Sequence, residues 1–351
     1  MQQALEEGVF PGAVLLAARD QKVLLHAAWG VTDLASGQPV TVDTVFDLAS
    51  LTKPLATVMA VMCLVQEGRL SLDAPMDTLL PIMANTDKAG VTLRQLLSHC
   101  SGWPAWQPYF EHLRQHREED RRHRLAQILA AEPLIAVPGA VALYSDLDYL
   151  ALGLIVEECT GLRLDRFVRQ AVYAPLGIQD LFFNPLDAPP EPRDYAATER
   201  CAWRGGALSG AVHDDNAYVL NGVAGHAGLF GTARAVFALL QALLSACREA
   251  APSALFAPGL VRTFWRPSEG SGWTLGFDTP SAQASSSGTH FSRNSVGHLG
   301  YTGTSFWVDI DRRITIILLT NRVHPSRANE TIRAFRPRIH DEIMCGLLKS
   351  G

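Results

Sequence analysis

The sequence predicts an α+β fold in which strands from the two ends of the chain share one sheet and helices fill the middle. Three observations carry this. Apolar runs at residues 13–18 and 23–29 flank Arg19-Asp20-Gln21-Lys22 and read as a β-hairpin. Runs at 304–310 and 314–320 flank Asp311-Arg312-Arg313 and read as two strands joined by a tight turn. Between them, from about residue 70 to 200, the pattern is helical and broken by Pro and Gly. The helical insertion would cover one side of the sheet.

The remaining elements follow in chain order. Residues 50–67 read as a buried helix that Gly68 can terminate. Residues 114–124 are densely charged, as expected of a solvated helix face or a surface insertion. Residues 233–246 form an apolar-rich helix with Thr232 placed as its N-cap. Residues 281–292 are rich in Ser and Gly and read as a mobile loop. A last helix spans about 328–348, with Pro337 expected to kink or interrupt it. No internal repeat is evident.

Composition narrows the function classes. The 351 residues are 48% hydrophobic and 19% charged, with a formal net charge of -5. No basic stripe is visible, so nucleic acid is not expected as a partner. The six cysteines are scattered, without a C-x-x-C pair or His at zinc spacing, and read as reduced thiols. Residues 1–8 are polar and acidic and do not resemble a secretory signal. A cytoplasmic location is therefore expected, or a periplasmic one if a leader has been trimmed away. The most apolar stretch, 55–65, is too short to span a bilayer.

Ser50-Leu51-Thr52-Lys53 is the strongest chemical signal. Residues three apart share a helix face, so Ser50 Oγ and Lys53 Nζ can meet. A serine hydroxyl attacks an acyl carbon only when a base takes its proton. A lysine serves as that base when burial or positive charge lowers its pKa. Leu48, Leu51, Leu55, Val58 and Met59 supply apolar surroundings, Asp47 can cap the helix, and Pro54 is tolerated in its first turn. Ser50 then lies near a helix N-terminus, where backbone N–H groups favour developing negative charge. This is the only S-x-x-K in the chain, and Lys53 is the one charge between Ser50 and Gln66. A lone lysine there would be an unexplained burial cost.

Partners come from elsewhere. Tyr144-Ser145-Asp146 follows Pro138-Gly139 and opens an apolar run. A tyrosine beside an ammonium loses its proton more readily and can shuttle it to a leaving group; the alternative is a helix-start Tyr with Asp146 as a cap. His298-Leu299-Gly300 precedes the C-terminal strands, where an edge strand can set a polar side chain beside the substrate. The Tyr301 N–H could then join the Ser50 N–H as an oxyanion hole. A second H-x-G, His226-Ala227-Gly228, lies before a helix and is the less favoured placement. His213-Asp214-Asp215 reads as a turn in preference to a metal site. No G-x-S-x-G, G-x-G-x-x-G or Walker loop occurs.

These residues resemble a known family. Ser50-x-x-Lys53, Tyr144-Ser145-Asp146 and His298-x-Gly300 stand in the order of the three motifs of class C β-lactamases and related penicillin-binding-type serine hydrolases. Phe10-Pro11-Gly12-Ala13-Val14, Leu96-Leu97-Ser98-His99-Cys100-Ser101-Gly102-Trp103, Pro175-Leu176-Gly177-Ile178, Val223–Phe230 and Gly297–Ser305 extend the likeness over nearly the whole chain. The resemblance implies a β-lactamase/transpeptidase-like αβα sandwich, mainly antiparallel, built from residues 1–70 and 205–351. A mainly helical subdomain, 71–204, would face it across the active-site cleft. It also implies acylation of Ser50, proton transfers shared by Lys53 and Tyr144, and no metal or organic cofactor.

Two departures shape the expected activity. His298 stands where these lactamases and transpeptidases carry Lys, and no Lys lies between Lys88 and Lys349. A largely neutral imidazole weakens capture of a substrate carboxylate. Asp146 stands in place of Asn; its charge would repel that carboxylate and stabilise the Lys53 ammonium. The expectation is an esterase- or peptidase-like acyl-hydrolase of small esters or amides, with weak action on β-lactams. The alternatives are a true class C-type β-lactamase, a D-Ala-D-Ala carboxypeptidase, or a binding or sensor domain that keeps the fold without catalysis.

Overall fold

The computed structural model describes residues 1–248, 255–268 and 271–349. Ten strands are present among them: β1 (Gly12–Arg19), β2 (Lys22–Gly30), β3 (Phe46–Asp47), β4 (Leu181–Phe183), β5 (Arg200–Cys201), β6 (Gly206–Ala207), β7 (Leu229–Gly231), β8 (Ser295–Leu299), β9 (Ser305–Asp309) and β10 (Ile314–Thr320). Five form an antiparallel sheet in the order β2-β1-β10-β9-β8. Both expected strand pairs are present, and β1 and β10 join them directly, Ala13 opposite Thr320 and Arg19 opposite Ile314. The fold is α+β, as the sequence predicts.

Alternation along the central strands divides the core in two. Val14, Leu16 and Ala18 of β1, with Ile317 and Leu319 of β10, face the larger core, where the helix Ala233–Cys247 lies. Ala13, Leu15 and Ala17, with Ile314, Ile316 and Leu318, face the C-terminal helix Ile332–Lys349. Helices on both faces of one sheet make the αβα sandwich, because a strand with two apolar faces must be covered twice. Thr232 accepts the Ala235 N–H and caps the first of these helices. The second runs through Pro337. Residues 281–292 lie outside helices and strands.

The stretch 71–204 is mainly helical, with Glu118–Ala131 and Asp146–Thr160 as its longest helices. The charge run falls largely on the first of these, whose buried residues are Leu125 and Leu129. The helical stretch also lends β4 to a small sheet, β3-β7-β4, and β5 to a hairpin with β6.

The helix expected over 50–67 is three helical segments in succession. Ala49–Leu51 is 3₁₀, Lys53–Thr57 is π, and Val58–Gln66 is α. Pro54 has no N–H for the α-helical bond back to Ser50, which breaks the register there. Gly68, at φ +70°, ends the run with its N–H on Val65 O. Ala49–Gln66 is long and apolar enough to cross a membrane, unlike the shorter 55–65 window, but 83% of it is buried inside the fold.

Candidate active site

The small sheet sets the nucleophile. Asp47 pairs with Phe230 of β7, and its buried carboxylate accepts the N–H of Ala49 (2.8 Å) and of His213 (2.6 Å). Burial pushes the Asp47 pKa up, against the pull of those two donors. The chain then turns sharply, with Ala49 at φ +47°, a left-handed conformation costly for a residue with a side chain. Thr52 Oγ1 fastens the turn by donating to Ala49 O (2.6 Å) and accepting the Leu229 N–H (3.0 Å). Across the junction of the 3₁₀ and π segments, Ser50 Oγ and Lys53 Nζ, three residues apart, come to 3.2 Å.

Lys53 is fully buried, and its ammonium has three acceptors: Ser50 Oγ, Asp146 Oδ1 (2.6 Å) and the His226 carbonyl (3.3 Å). It also lies 4.8 Å from the centre of the Tyr144 ring. Burial alone would lower its pKa, but Asp146 and Tyr144 outweigh burial and leave it raised. This corrects the expectation of a lowered amine: apolar neighbours are present, and the counter-ion 93 residues away decides the sign. Tyr144 is corrected likewise. Burial raises its phenol pKa more than the Lys53 charge lowers it, so the resting group is a phenol.

Asp146 is the first residue of the helix Asp146–Thr160, capped by Ser145 Oγ on the Leu147 N–H. Its Lys53 partner therefore lies by a helix N-terminus, where a carboxylate is favoured. The Ser145 N–H donates to His99 Nδ1 (3.1 Å), and Ser145 Oγ donates to Pro104 O (2.7 Å). His99 is buried at φ +59° and packs its ring 4.6 Å from that of Tyr144 and 4.8 Å from that of Trp273. The segment 96–103 thus holds the Tyr144-Ser145-Asp146 loop in place.

On the other side the chain after β8 is stitched to the nucleophile turn. Thr302 Oγ1 donates to Asp47 O (2.7 Å) and Thr304 Oγ1 to Leu48 O (3.1 Å). At Gly300 a Cβ would fall 2.0 Å from Thr304 Oγ1 and 2.6 Å from Leu48 O, so only glycine permits this approach. Neither the Ser50 N–H nor the Tyr301 N–H has a protein acceptor among the described residues. The Tyr301 ring is exposed, stacks on His213 at 5.7 Å, and has the Arg322 guanidinium 4.6 Å away; Arg322 Nε donates to Tyr301 O (2.8 Å).

His298 is corrected too. It is buried behind Tyr144 and Trp273, with Nδ1 donating to Leu299 O (2.9 Å), and does not reach the cleft surface. Burial, helped by the Lys53 charge, holds its pKa down to about 3, so it is a neutral wall. The less favoured histidine, His226, makes the closer contact with Lys53, through its carbonyl. Its Nε2 bonds Asp214 Oδ1 (2.8 Å), the N-cap of the helix Asp215–Val219. Burial opposes ionisation of Asp214, but His226 and the Ala217 N–H outweigh it and hold the carboxyl below its usual range. Ligand atoms of Asp146, Asp214 and His226 lie within 4.8 Å of one another, but the Lys53 ammonium already fills the cation position on Asp146. His213 behaves as the expected turn: its N–H serves Asp47 and its ring bonds Glu199 (3.1 Å).

The sequence reading missed His99, Trp273 and the Asp214–His226 pair as supports of the site. The family likeness of the segments 96–103 and 223–230 covers His99 and His226, but nothing in the sequence singles out Trp273.

The family model described as beta-lactamase matches residues 1–336. The chain belongs to the beta-lactamase family. Among curated relatives, a putative D-alanyl-D-alanine carboxypeptidase of Escherichia coli K12 is 34% identical over 347 residues, covering 90% of this chain and 79% of the relative. An N-acetylmuramyl-L-alanine amidase of Bacillus subtilis 168 is 33% identical, covering 90% of this chain and 78% of the relative. Among solved structures, EstCE1, a hydrolase with promiscuous acyltransferase activity, shares the fold with TM-score 0.74, 22% identity and 96% of each chain covered. The octameric penicillin-binding protein homologue from Pyrococcus abyssi does so with TM-score 0.70, 20% identity, 95% of this chain and 74% of that one. Within the beta-lactamase family this chain is a serine acyl-hydrolase.

Proposed function

We propose that Ser50 is the nucleophile of an ester- or amide-hydrolysing acyl-enzyme, and that the enzyme prefers small esters and D-amino-acid amides to β-lactams. The carrying observation is the Ser50–Lys53–Asp146 chain, 3.2 Å and 2.6 Å, in a pocket where Lys53 is wholly buried. At rest the ammonium donates to Ser50 Oγ and cannot also accept its proton. Asp146 Oδ1 is the sink: entry of substrate expels water, the ion pair loses its solvation, and a proton passes from Lys53 to Asp146. The neutral amine then takes the Ser50 proton as Oγ attacks the acyl carbon. The Ser50 and Tyr301 N–H groups would bind the resulting oxyanion. Tyr144, held as a phenol, would protonate the leaving group. Water then hydrolyses the acyl-enzyme.

Weak capture of a β-lactam carboxylate follows from the neutral, buried His298. A carboxypeptidase reading is favoured by the relatives named above. Three substrates separate the readings: p-nitrophenyl esters, a D-Ala-D-Ala peptide and nitrocefin. Faster turnover of nitrocefin than of any ester or peptide would overturn the ranking. A fluorophosphonate should add one adduct by intact mass, absent in Ser50→Ala and retained in Ser98→Ala. Full turnover by Ser50→Ala would end the assignment, and the absence of labelling and turnover in the wild type would favour a binding domain.

A further inference from the structure

A second nucleophile-like constellation lies on the far face of the sheet. The C-terminal helix carries Asp341 and Cys345 one turn apart, so their side chains share a face. His290, from the 281–292 loop, bridges them: Cys345 Sγ is 3.2 Å from Nε2, and Asp341 Oδ1 is 3.0 Å from Nδ1. The bridge is firmly built. Asp341 Oδ1 also accepts the N–H of Thr289 (2.6 Å) and of His290 (3.1 Å), and Thr289 Oγ1 donates to Oδ2 (3.1 Å). At Gly288, φ +85°, a Cβ would fall 2.3 Å from Asp341 Oδ1 and 2.8 Å from Pro337 O, so the loop reaches the helix only with glycine there.

We infer that Cys345 is an activated thiol, a modification site for small electrophiles such as hydroperoxides, with His290 as its base and Asp341 as the group that orients the base. An ionised carboxylate only accepts, so Nδ1 carries the imidazole proton and Nε2 turns its lone pair to the sulfur. The thiol proton passes to Nε2, and the imidazolium left beside Asp341 keeps the thiolate company. His290 uses opposite nitrogens for its two partners, a relay geometry that does not converge on one metal ion. Three of the other cysteines contrast with this. Cys63 is pushed up to about 12 by burial and Cys100 and Cys247 are pushed up likewise; the Cys63 and Cys100 thiols point to carbonyls, Ala171 O and Ser98 O. Cys345 is half-buried, open to small reagents. Among the charges nearby, Arg312 donates to His290 O (2.6 Å) and pairs with Asp309 (3.0 Å), Arg19 donates to Leu347 O (2.5 Å), and Glu342 stands one helical turn before Cys345.

With a hydroperoxide the step balances. The thiolate sulfur attacks the distal oxygen, an S–O bond forms, and the O–O bond breaks. The leaving hydroxide or alkoxide takes the imidazolium proton. Sulfur is oxidised to the sulfenic acid and the peroxide is reduced to water or alcohol.

Limiting iodoacetamide on the whole folded protein, with peptide mapping, tests this. Cys345 should be alkylated at least about tenfold faster than Cys159 at pH 7. His290→Gln should slow Cys345 at least about tenfold and leave ester turnover unchanged. Hydrogen peroxide followed by dimedone should label Cys345 first. If Cys345 in the wild type reacts no faster than Cys159, the inference fails whatever the variants do.

Discussion

Asp146→Asn separates charge from shape at the centre of the site. The side chain keeps its size and its place at the helix start but loses its charge, 2.6 Å from Lys53 Nζ. Coulomb's law at an effective dielectric of about 20 puts that attraction at roughly 6 kcal/mol, an upper bound. Opposite charges at such range move pKa values by about one to three units. The substitution should therefore lower the Lys53 pKa while removing the sink for its proton. The neutral amine must then form by loss of a proton to solvent. At pH 7 kcat/KM should fall by about 10²–10⁴, the worth of a general base, and then climb tenfold per pH unit through the alkaline range. The wild type should be nearly flat from pH 6 to 9. The assay is kcat/KM for a p-nitrophenyl ester across that range, corrected for spontaneous hydrolysis. A variant as fast as the wild type at pH 7, or equally slow at every pH, would refute the proton route.

Three further outcomes follow from the geometry. Tyr144→Phe should slow amide and alkyl-ester hydrolysis by about 10² or more but slow p-nitrophenyl esters by less than about tenfold, because nitrophenolate leaves without a proton; equal losses on both would remove the acid role. Gly300→Ala must displace Thr304 or Leu48 and with them the Tyr301 N–H, so kcat should drop by about 10²–10³, the worth of one oxyanion donor, while fluorophosphonate labelling slows in parallel. Asp278 is held by burial at about 7, well above the unfolded value near 3.9. The folded chain thus keeps the extra proton between those values, so the contribution of Asp278 to stability should fall as pH rises from about 4 to 7 and then level, by at most about 4 kcal/mol given partial screening. In urea melts, the stability difference between wild type and Asp278→Asn should shift by that much between about pH 4 and 7, and a pH-independent difference would contradict it.

Much of this architecture is legible locally. The strands of the main sheet show as apolar runs with turn residues between them, and the Thr232 cap and the Ser50–Lys53 spacing depend on residues within a few positions. What escapes local reading is set by distant partners. Leu48, Leu51, Leu55, Val58 and Met59 alone argue for a lowered Lys53 pKa, while Asp146 reverses the sign; the family likeness, by placing Asp146 beside Lys53, points the right way. The sequence carries no local sign that His298 is buried, because Tyr144 and Trp273, which pack against it, come from distant parts of the chain. The β3-β7-β4 sheet uses runs of two or three residues, too short for periodicity to register.

The β1–β10 pairing joins residues some three hundred positions apart, Ala13 with Thr320. A ribosome adding about 5–20 residues per second needs roughly 15–60 s between them. Through that interval the inner edge of the first hairpin waits with open hydrogen-bonding groups, an invitation to other nascent chains. The hydrolase thus cannot assemble its catalytic floor domain by domain during synthesis, and its yield in a cell should depend on whatever shields that edge until the last strands emerge.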